Sequence, residues 1–187
     1  MSSEKKRYAD EAVSPAAAED EQVVMLRSCD GEEFAVGEAV ARMSGMISNM
    51  IDDDCVEGGI QLPMVKGHVL ARVLEYFNKK HATSVAAAAV NLDAAATIGS
   101  GDTAAAEFKK FEATFFEKLA NKEALFDLIL AANFLHAQDL LDAACQCSAD
   151  QIRGKTVQEI RDYFGIVNDF TPEEAEEIRK ENAWAFD

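Results

Sequence analysis

The first patterned stretch of the chain has a period of two. Gln22 to Ser28 carries the β-formers Val23 and Val24, and in Glu32 to Val36 the apolar Phe34 and Val36 alternate with other residues. Asp30-Gly31 between them offers a two-residue turn, so the pattern predicts a β-hairpin. The period then becomes helical. Val40, Met43, Ile47, Met50 and Ile51 predict two short helices, broken at Ser44-Gly45 and ending at the acidic run Asp52-Asp53-Asp54. Ile60-Gln61-Leu62 before Pro63 predicts a third, short strand, and Val69, Leu70, Val73, Leu74 and Phe77 draw the stripe of an amphipathic helix. Together these elements predict a compact α+β unit over 22–81, preceded by a tail, 1–21, that mixes Ser, Ala, Glu and Lys without a period and reads as disordered.

Residues 82–107 break the pattern with alanine runs at 86–89, 94–96 and 104–106 and with Gly99-Ser100-Gly101. Alanine favours helix locally, but a segment with few large apolar side chains gains little from packing, so a flexible linker with partial, undocked helicity is expected. From Asn121 the signal is strongly helical. Leu125, Phe126, Leu128, Ile129, Leu130, Phe134 and Leu135 are too many for a single exposed stripe, which predicts a largely buried helix. A further helix runs through Leu140, Leu141, Ala144 and Ile152 and stops at Gly154, a residue suited to a left-handed cap. Thr156-Val157-Gln158-Glu159 matches a capping box whose helix ends near Gly165, and Thr171-Pro172-Glu173-Glu174 supplies an N-cap, a proline at the first helical position and a glutamate at the third.

Charge narrows the function classes. The chain has 34 acidic and 18 basic residues, a formal net charge of -16, and no basic run longer than Lys5-Lys6-Arg7. Phosphate backbones and anionic membrane surfaces are bound through Lys and Arg, so neither nucleic acid nor a membrane is expected as a partner. No apolar stretch reaches membrane-spanning length and the start of the chain has no apolar core of a leader, which predicts an intracellular protein. Cys29, Cys55, Cys145 and Cys147 lack paired CxxC spacing and read as reduced thiols.

Candidate chemistry is sparse. The loop Asp52-Asp53-Asp54-Cys55-Val56-Glu57-Gly58 resembles half of a calcium loop, but its oxygen ligands fall out of register from any starting Asp. His68, His81 and His136 have no Ser, Cys or carboxylate at a catalytic spacing, and Gly99-Ser100-Gly101 lacks the spacing and the lysine of a phosphate loop. The sequence therefore predicts no catalytic residue, no metal and no cofactor. What remains is the end of the chain, where Ile166, Phe170, Ile178, Trp184 and Phe186 are spread over a heavily acidic segment and call for something to dock on, either a partner or the protein's own helices.

Three blocks decide between these. Leu125 to Phe134 reads LFDLILAANF, Gly154 to Arg161 reads GKTVQEIR, and Asn168 to Phe186 reads NDFTPEEAEEIRKENAWAF. With Arg27 to Phe34, Met50 to Cys55 and Leu62-Pro63 in front of them, the chain resembles the S-phase kinase-associated protein 1 family over roughly 22–81 and 107–187, and its closing Trp184-Ala185-Phe186 looks like plant members. The resemblance implies a BTB/POZ α/β unit at 22–81, completed by helices over 108–153, and C-terminal F-box-binding helices over 154–187. It implies a non-catalytic adaptor that joins F-box proteins to a cullin inside a ubiquitin ligase of the nucleus and cytoplasm, with weak homodimerisation when no F-box protein is bound. Carried over by position, Asn133 and Phe134 face the cullin, and the stretches around Leu141, Cys145, Ile152, Phe164, Ile166, Ile178 and Trp184 pack with the F-box.

This sequence departs from the family at Phe134, where Tyr is usual, at Ser148 for Val, at Gln151 for Met and at Phe111 for Trp. The Phe134 change removes a hydroxyl hydrogen bond worth about 1 kcal/mol. Two other readings stand beside the adaptor: a BTB-like module that self-associates or binds other partners without a cullin, and an enzyme with a dispersed site near the acidic loop and His68.

Overall fold

Alternate side chains of strand β1 (Val23–Ser28) are buried, so Val24, Leu26 and Ser28 face the core while Val23, Met25 and Arg27 face outward. The computed structural model describes residues 22–92, 100–119 and 121–185; the tail, residues 93–99 of the alanine-rich segment and Phe186 lie outside the described residues. β1 is the central strand of a three-stranded sheet, antiparallel to β2 (Glu33–Gly37) and parallel to β3 (Ile60–Leu62). The hairpin forms, but not through a two-residue turn. Gly31 N donates to the Ser28 carbonyl at 3.1 Å and Ser28 N to the Glu32 carbonyl at 2.9 Å, which takes Cys29 into a three-residue loop closed by Gly31 at φ 84°. The neighbouring Asp30 is committed elsewhere. Its carboxylate accepts from Ser28 Oγ at 2.5 Å and from Gly67 N at 2.8 Å, and these two bonds hold its pKa below the usual carboxylate value.

Gly67 begins α3 (Gly67–Leu92), whose inward stripe of Val69, Leu70, Val73, Leu74 and Phe77 forms the centre of the core. The expected end near residue 81 is corrected, because the helix continues into the alanine run, where each added residue propagates an existing helix without new nucleation. Over 82–88 its side chains are exposed or half-buried, and Val85 is exposed. A second helix, α4 (Ser100–Glu117), packs back on α3 around Tyr76. The Tyr76 ring lies 5.5 to 6.5 Å from the rings of Phe108, Phe111 and Phe115, and its hydroxyl donates to Glu112 Oε1 at 2.7 Å. Burial first, and then the Glu112 carboxylate, push ionisation of this phenol far above its ordinary range.

After the hairpin come α1 (Glu38–Ala41) and α2 (Gly45–Asp52), with the fully buried Ser44 between them. Ser44 is more than the break its sequence suggests. Its Oγ accepts from Ile47 N at 3.2 Å, capping α2, and donates to the Leu135 carbonyl at 2.6 Å, just past the end of α5 (Lys122–Phe134). Gly45 N and Met46 N add bonds to the His136 and Leu135 carbonyls, both at 3.3 Å. The start of one helix thus satisfies the orphan carbonyls at the end of another. On α5 itself Leu125, Leu128, Ala131 and Ala132 are buried, but Leu130 is 66% exposed, so the helix is one-sided and not largely buried as its composition suggested.

The contacts divide the chain into two compact units within α6 (Gln138–Ile152), after Leu141. In the second unit, α6 ends before Gly154 at φ 73°, and α7 (Val157–Phe164) and α8 (Pro172–Glu181) follow, with a final 3-10 turn at Ala183–Ala185. Both helices start with complete capping boxes. Thr156 and Thr171 accept at Oγ from Glu159 N and Glu174 N, and the two glutamates accept in return from the threonine backbones at 2.7 and 2.9 Å. Gly165 at φ 69° closes α7. Neither helix buries a single residue.

Ser44→Ala removes the α2 cap and one of the bonds to the Leu135 carbonyl, and we expect a loss of about 1–3 kcal/mol, read as a lower urea midpoint at unchanged m-value. An unchanged midpoint would deny the Ser44 bonds any structural weight. The capping boxes make a pH prediction. Hydrogen bonds from Thr156 and Thr171 lower the pKa of Glu159 and Glu174 below the ordinary 4.5. Their contribution is therefore complete above pH 4.5 and is lost as pH falls below it through the lowered folded values. Amide chemical shifts of Glu159 and Glu174 should report helix loss in that window, and Glu159→Gln, which keeps the box with a neutral side chain, should abolish the pH dependence of α7 alone.

Candidate protein-docking surfaces

In the second unit the apolar side chains lack the burial that normally accompanies them. Among its described residues Ala144 is the only buried hydrophobic one, whereas Val157, Phe164, Ile166, Val167, Phe170, Ile178 and Trp184 are all exposed. Val167 and Trp184 are the extremes, at 83% and 78% exposure. Local chemistry sets this arrangement. Once Thr156 fixes the start of α7, Val157, Ile160 and Phe164 fall at i, i+3 and i+7 on one stripe, and Gly165 ends the helix so that Ile166 and Val167 lie outside it. On α8, Ala175 and Ile178 occupy one face. On α6, Cys145 and Ile152 share a face seven residues apart, with Leu141 one turn before Cys145. Leu141 is half-buried against the core of the first unit, Cys145 is an exposed free thiol, and Ile152 is half-buried.

Of the residues assigned from the family to an F-box surface, six therefore lie in the second unit and Leu141 in the first. Sequence reasoning passed over Val157 and Val167, although the capping box at Thr156 already fixed Val157 as the first residue of an apolar stripe. Polar groups surround these positions. Gln151 accepts a hydrogen bond from the Tyr163 hydroxyl and donates to Cys147 Sγ at 3.5 Å, while Arg153–Asp150 and Lys180–Glu176 form surface ion pairs at 2.9 and 3.0 Å. Apolar positions inside a charged surround are the anatomy of a protein interface, with a dry centre and a polar rim.

The first unit carries the other assigned pair. Asn133 is exposed and Phe134 half-buried against the core in the last turn of α5, and the Asn133 carbonyl accepts from His136 N at 3.1 Å. Leu130, one turn earlier, extends the outward face; sequence reasoning missed its exposure because α5 is apolar nearly throughout. The Ser44 bonds fix the end of this helix and with it the position of both side chains.

Among the described residues no group of three or more His, Cys, Asp or Glu could hold a metal, and the four cysteines are free. A cavity of about 410 Å³ beside α3 and α5 is lined by His68, Arg72, Lys118, Asn121 and apolar neighbours, without a Ser, Cys or carboxylate. No helix among the described residues is long and apolar enough to cross a membrane.

Comparison with known proteins finds two family matches along the chain. The Skp1 family tetramerisation domain matches residues 22–82, and the Skp1 family dimerisation domain matches residues 138–185. The chain is 48% identical to SKP1-like protein 20 of Oryza sativa subsp. japonica, over 92% of this chain and 99% of that protein. It is 48% identical to SKP1-like protein 1A of Arabidopsis thaliana, over 88% and 97% respectively. SKP1-like protein 1 of Oryza sativa subsp. japonica is 49% identical, over 92% and 99%. With an α+β unit built on a three-stranded sheet, helices capped as described and matches over both ends, the chain belongs to the Skp1 family.

Proposed function

We propose that this chain is a non-catalytic adaptor of an SCF-type E3 ubiquitin ligase, holding an F-box substrate receptor on one surface and a cullin scaffold on another. The observation that carries this reading is that α7 and α8 are shaped by their own caps, bury no residue fully, and leave Phe164, Ile166, Phe170, Ile178 and Trp184 at the surface. Helices of eight and ten residues are marginal in water. A partner's apolar segment supplies the burial they lack, which is the helix-in-groove mode of recognition. The F-box surface comprises Leu141, Cys145, Ile152, Phe164, Ile166, Ile178 and Trp184, with Val157 and Val167 added by their exposure. Ser148 and Gln151, half-buried on α6, tune which F-box proteins fit.

The cullin surface is the end of α5, with Asn133 as the polar contact and Phe134 as the aromatic one. Such an adaptor accelerates nothing itself. It works by geometry, raising the effective concentration of a bound substrate beside the ligase's catalytic machinery. It acts in the nucleus and cytoplasm. A second reading, self-association through the same C-terminal helices, is favoured by the family description of residues 138–185 as a dimerisation domain. The two readings compete for one surface, so an F-box protein displaces the second copy.

The test is a paired one. Aromatic anchors at a dry interface centre contribute about 2–4 kcal/mol, so Trp184→Ala should weaken F-box affinity about thirtyfold or more and leave cullin affinity unchanged. Asn133→Lys with Phe134→Ala should do the reverse, with circular dichroism to confirm folding because Phe134 is half-buried. If the wild-type chain, pure and folded, binds neither partner while sedimenting as a dimer, self-association is the function and the adaptor reading is wrong.

A further inference from the structure

The cavity of about 410 Å³ beside α3 and α5 is built from three stretches of the first unit. Val69 on α3 and Leu128 on α5, 6% and 1% exposed, and the half-buried Leu119 after α4 make its apolar part. Three basic side chains join them. His68 and Arg72 stand one turn apart on α3, and Lys118 follows the end of α4. In a chain with 34 acidic and 18 basic residues a basic side chain readily finds a carboxylate, and Arg27, Arg42, Lys66, Lys80, Arg153 and Lys180 are all in ion pairs. Here no carboxylate lines the cavity, and Lys118 makes no ion pair with the described residues. Arg72 donates through Nη1 to Glu75, outside the lining, at 2.9 Å, which leaves its other N–H groups for a further acceptor. Arg72 and Lys118, set against Glu75, give the lining a surplus of one positive charge.

We propose that this cavity is a binding site for a small monocarboxylate with an apolar ring or short chain. One carboxylate matches the surplus charge, whereas a phosphate dianion would leave negative charge uncompensated beside Glu75. Arg72 offers the planar fork that bonds both oxygens of a carboxylate, Lys118 offers a second cation, and His68 and Asn121 offer further donors. Asn121 uses its Oδ1 to accept from Ala124 N at 2.6 Å, capping α5, and keeps its NH2 group as a donor. Val69, Leu119 and Leu128 cover the apolar body. Ligand pockets run from about 300 to 1,000 Å³, so a volume near the small end suits a body of about one or two rings. Arg72 and Lys118 are open to water, which screens their charge and sets the affinity on the order of a millimolar. None of the lining residues belongs to the surfaces assigned to the F-box or the cullin, so the site does not depend on the adaptor reading.

The test titrates 2-naphthoate, and separately its uncharged counterpart 2-naphthylmethanol, into the full-length chain at fixed pH and low salt, followed by amide chemical shifts. 2-Naphthoate should move the amides of His68, Arg72, Asn121 and Ala124 saturably, and the alcohol should bind at least about fivefold more weakly. Arg72→Gln with Lys118→Gln, both at positions open to water, should abolish that preference, while the amides of Leu26 and Val36 in the sheet hold still and show an intact fold. No saturable shift at those four amides by about 10 mM naphthoate overturns the proposal. So does equal binding of acid and alcohol by the wild type, which would reduce the cavity to an apolar patch, and so does a preference that survives the double variant. Shifts confined to the second unit, around Val157, Phe164 and Ile178, would mark adventitious binding to its exposed apolar residues and overturn it as well.

Discussion

The end of the chain is governed by the fact that two short helices bury no residue of their own and must be held by hydrogen bonds at their starts. Thr156 with Glu159, and Thr171 with Glu174, each satisfy two orphan donors, and Gly165 closes α7 in a left-handed turn that few other residues adopt without strain. Capping of this kind fixes where a helix begins and satisfies its first donors, but it buries no apolar surface. The apolar stripes on those helices are therefore left without the burial that usually decides helix stability. Their exposure is what a docking surface requires, and filling it with internal contacts would remove the function.

The first unit solves a different problem. Its core is continuous from the inward face of β1 through α3 to Leu140, and its polar groups inside that core are satisfied, with no buried side-chain nitrogen or oxygen left without a partner among the described residues. Two side chains join distant parts of the chain by hydrogen bonds to backbone groups. Ser44 joins the start of α2 to the carbonyls after α5, and Asp30 joins the hairpin to the first turn of α3. Rigidity at the end of α5 matters because Asn133 and Phe134 stand there. A contact surface on a firmly held helix end is preorganised, so less ordering cost accompanies binding.

Much of this was legible in the sequence because the signals are local. Strand alternation in Val23 to Ser28, the stripe of α3, the glycines after α6 and α7 and both capping boxes involve residues within one turn or one strand of each other, and each element formed where its pattern lay. The failures share a cause. The extra loop residue Cys29 is drawn in because Asp30 is used by Gly67, thirty-seven positions away, and Ser44 looked like a helix break because its partner, Leu135, lies ninety-one positions on. Likewise α3 outruns its apolar stripe because an established helix extends through alanine without any docking, and Leu130 looked like core because α5 is apolar on nearly every side. The site residues themselves were carried by the family blocks, while physical pattern alone marked only the excess of apolar residues near the end.

The single tryptophan of the chain tests the central claim most directly, since Trp184 is 78% exposed and belongs to the surface assigned to the F-box. The measurement is its fluorescence emission in the free chain, with an F-box domain lacking tryptophan, and with such a cullin fragment. An indole in water that becomes part of a dry interface gives emission that starts red, shifts to the blue with the F-box domain and stays red with the cullin fragment. Emission already blue in the dilute free chain and unmoved by a bound F-box domain would place Trp184 in the protein's own core and contradict the account.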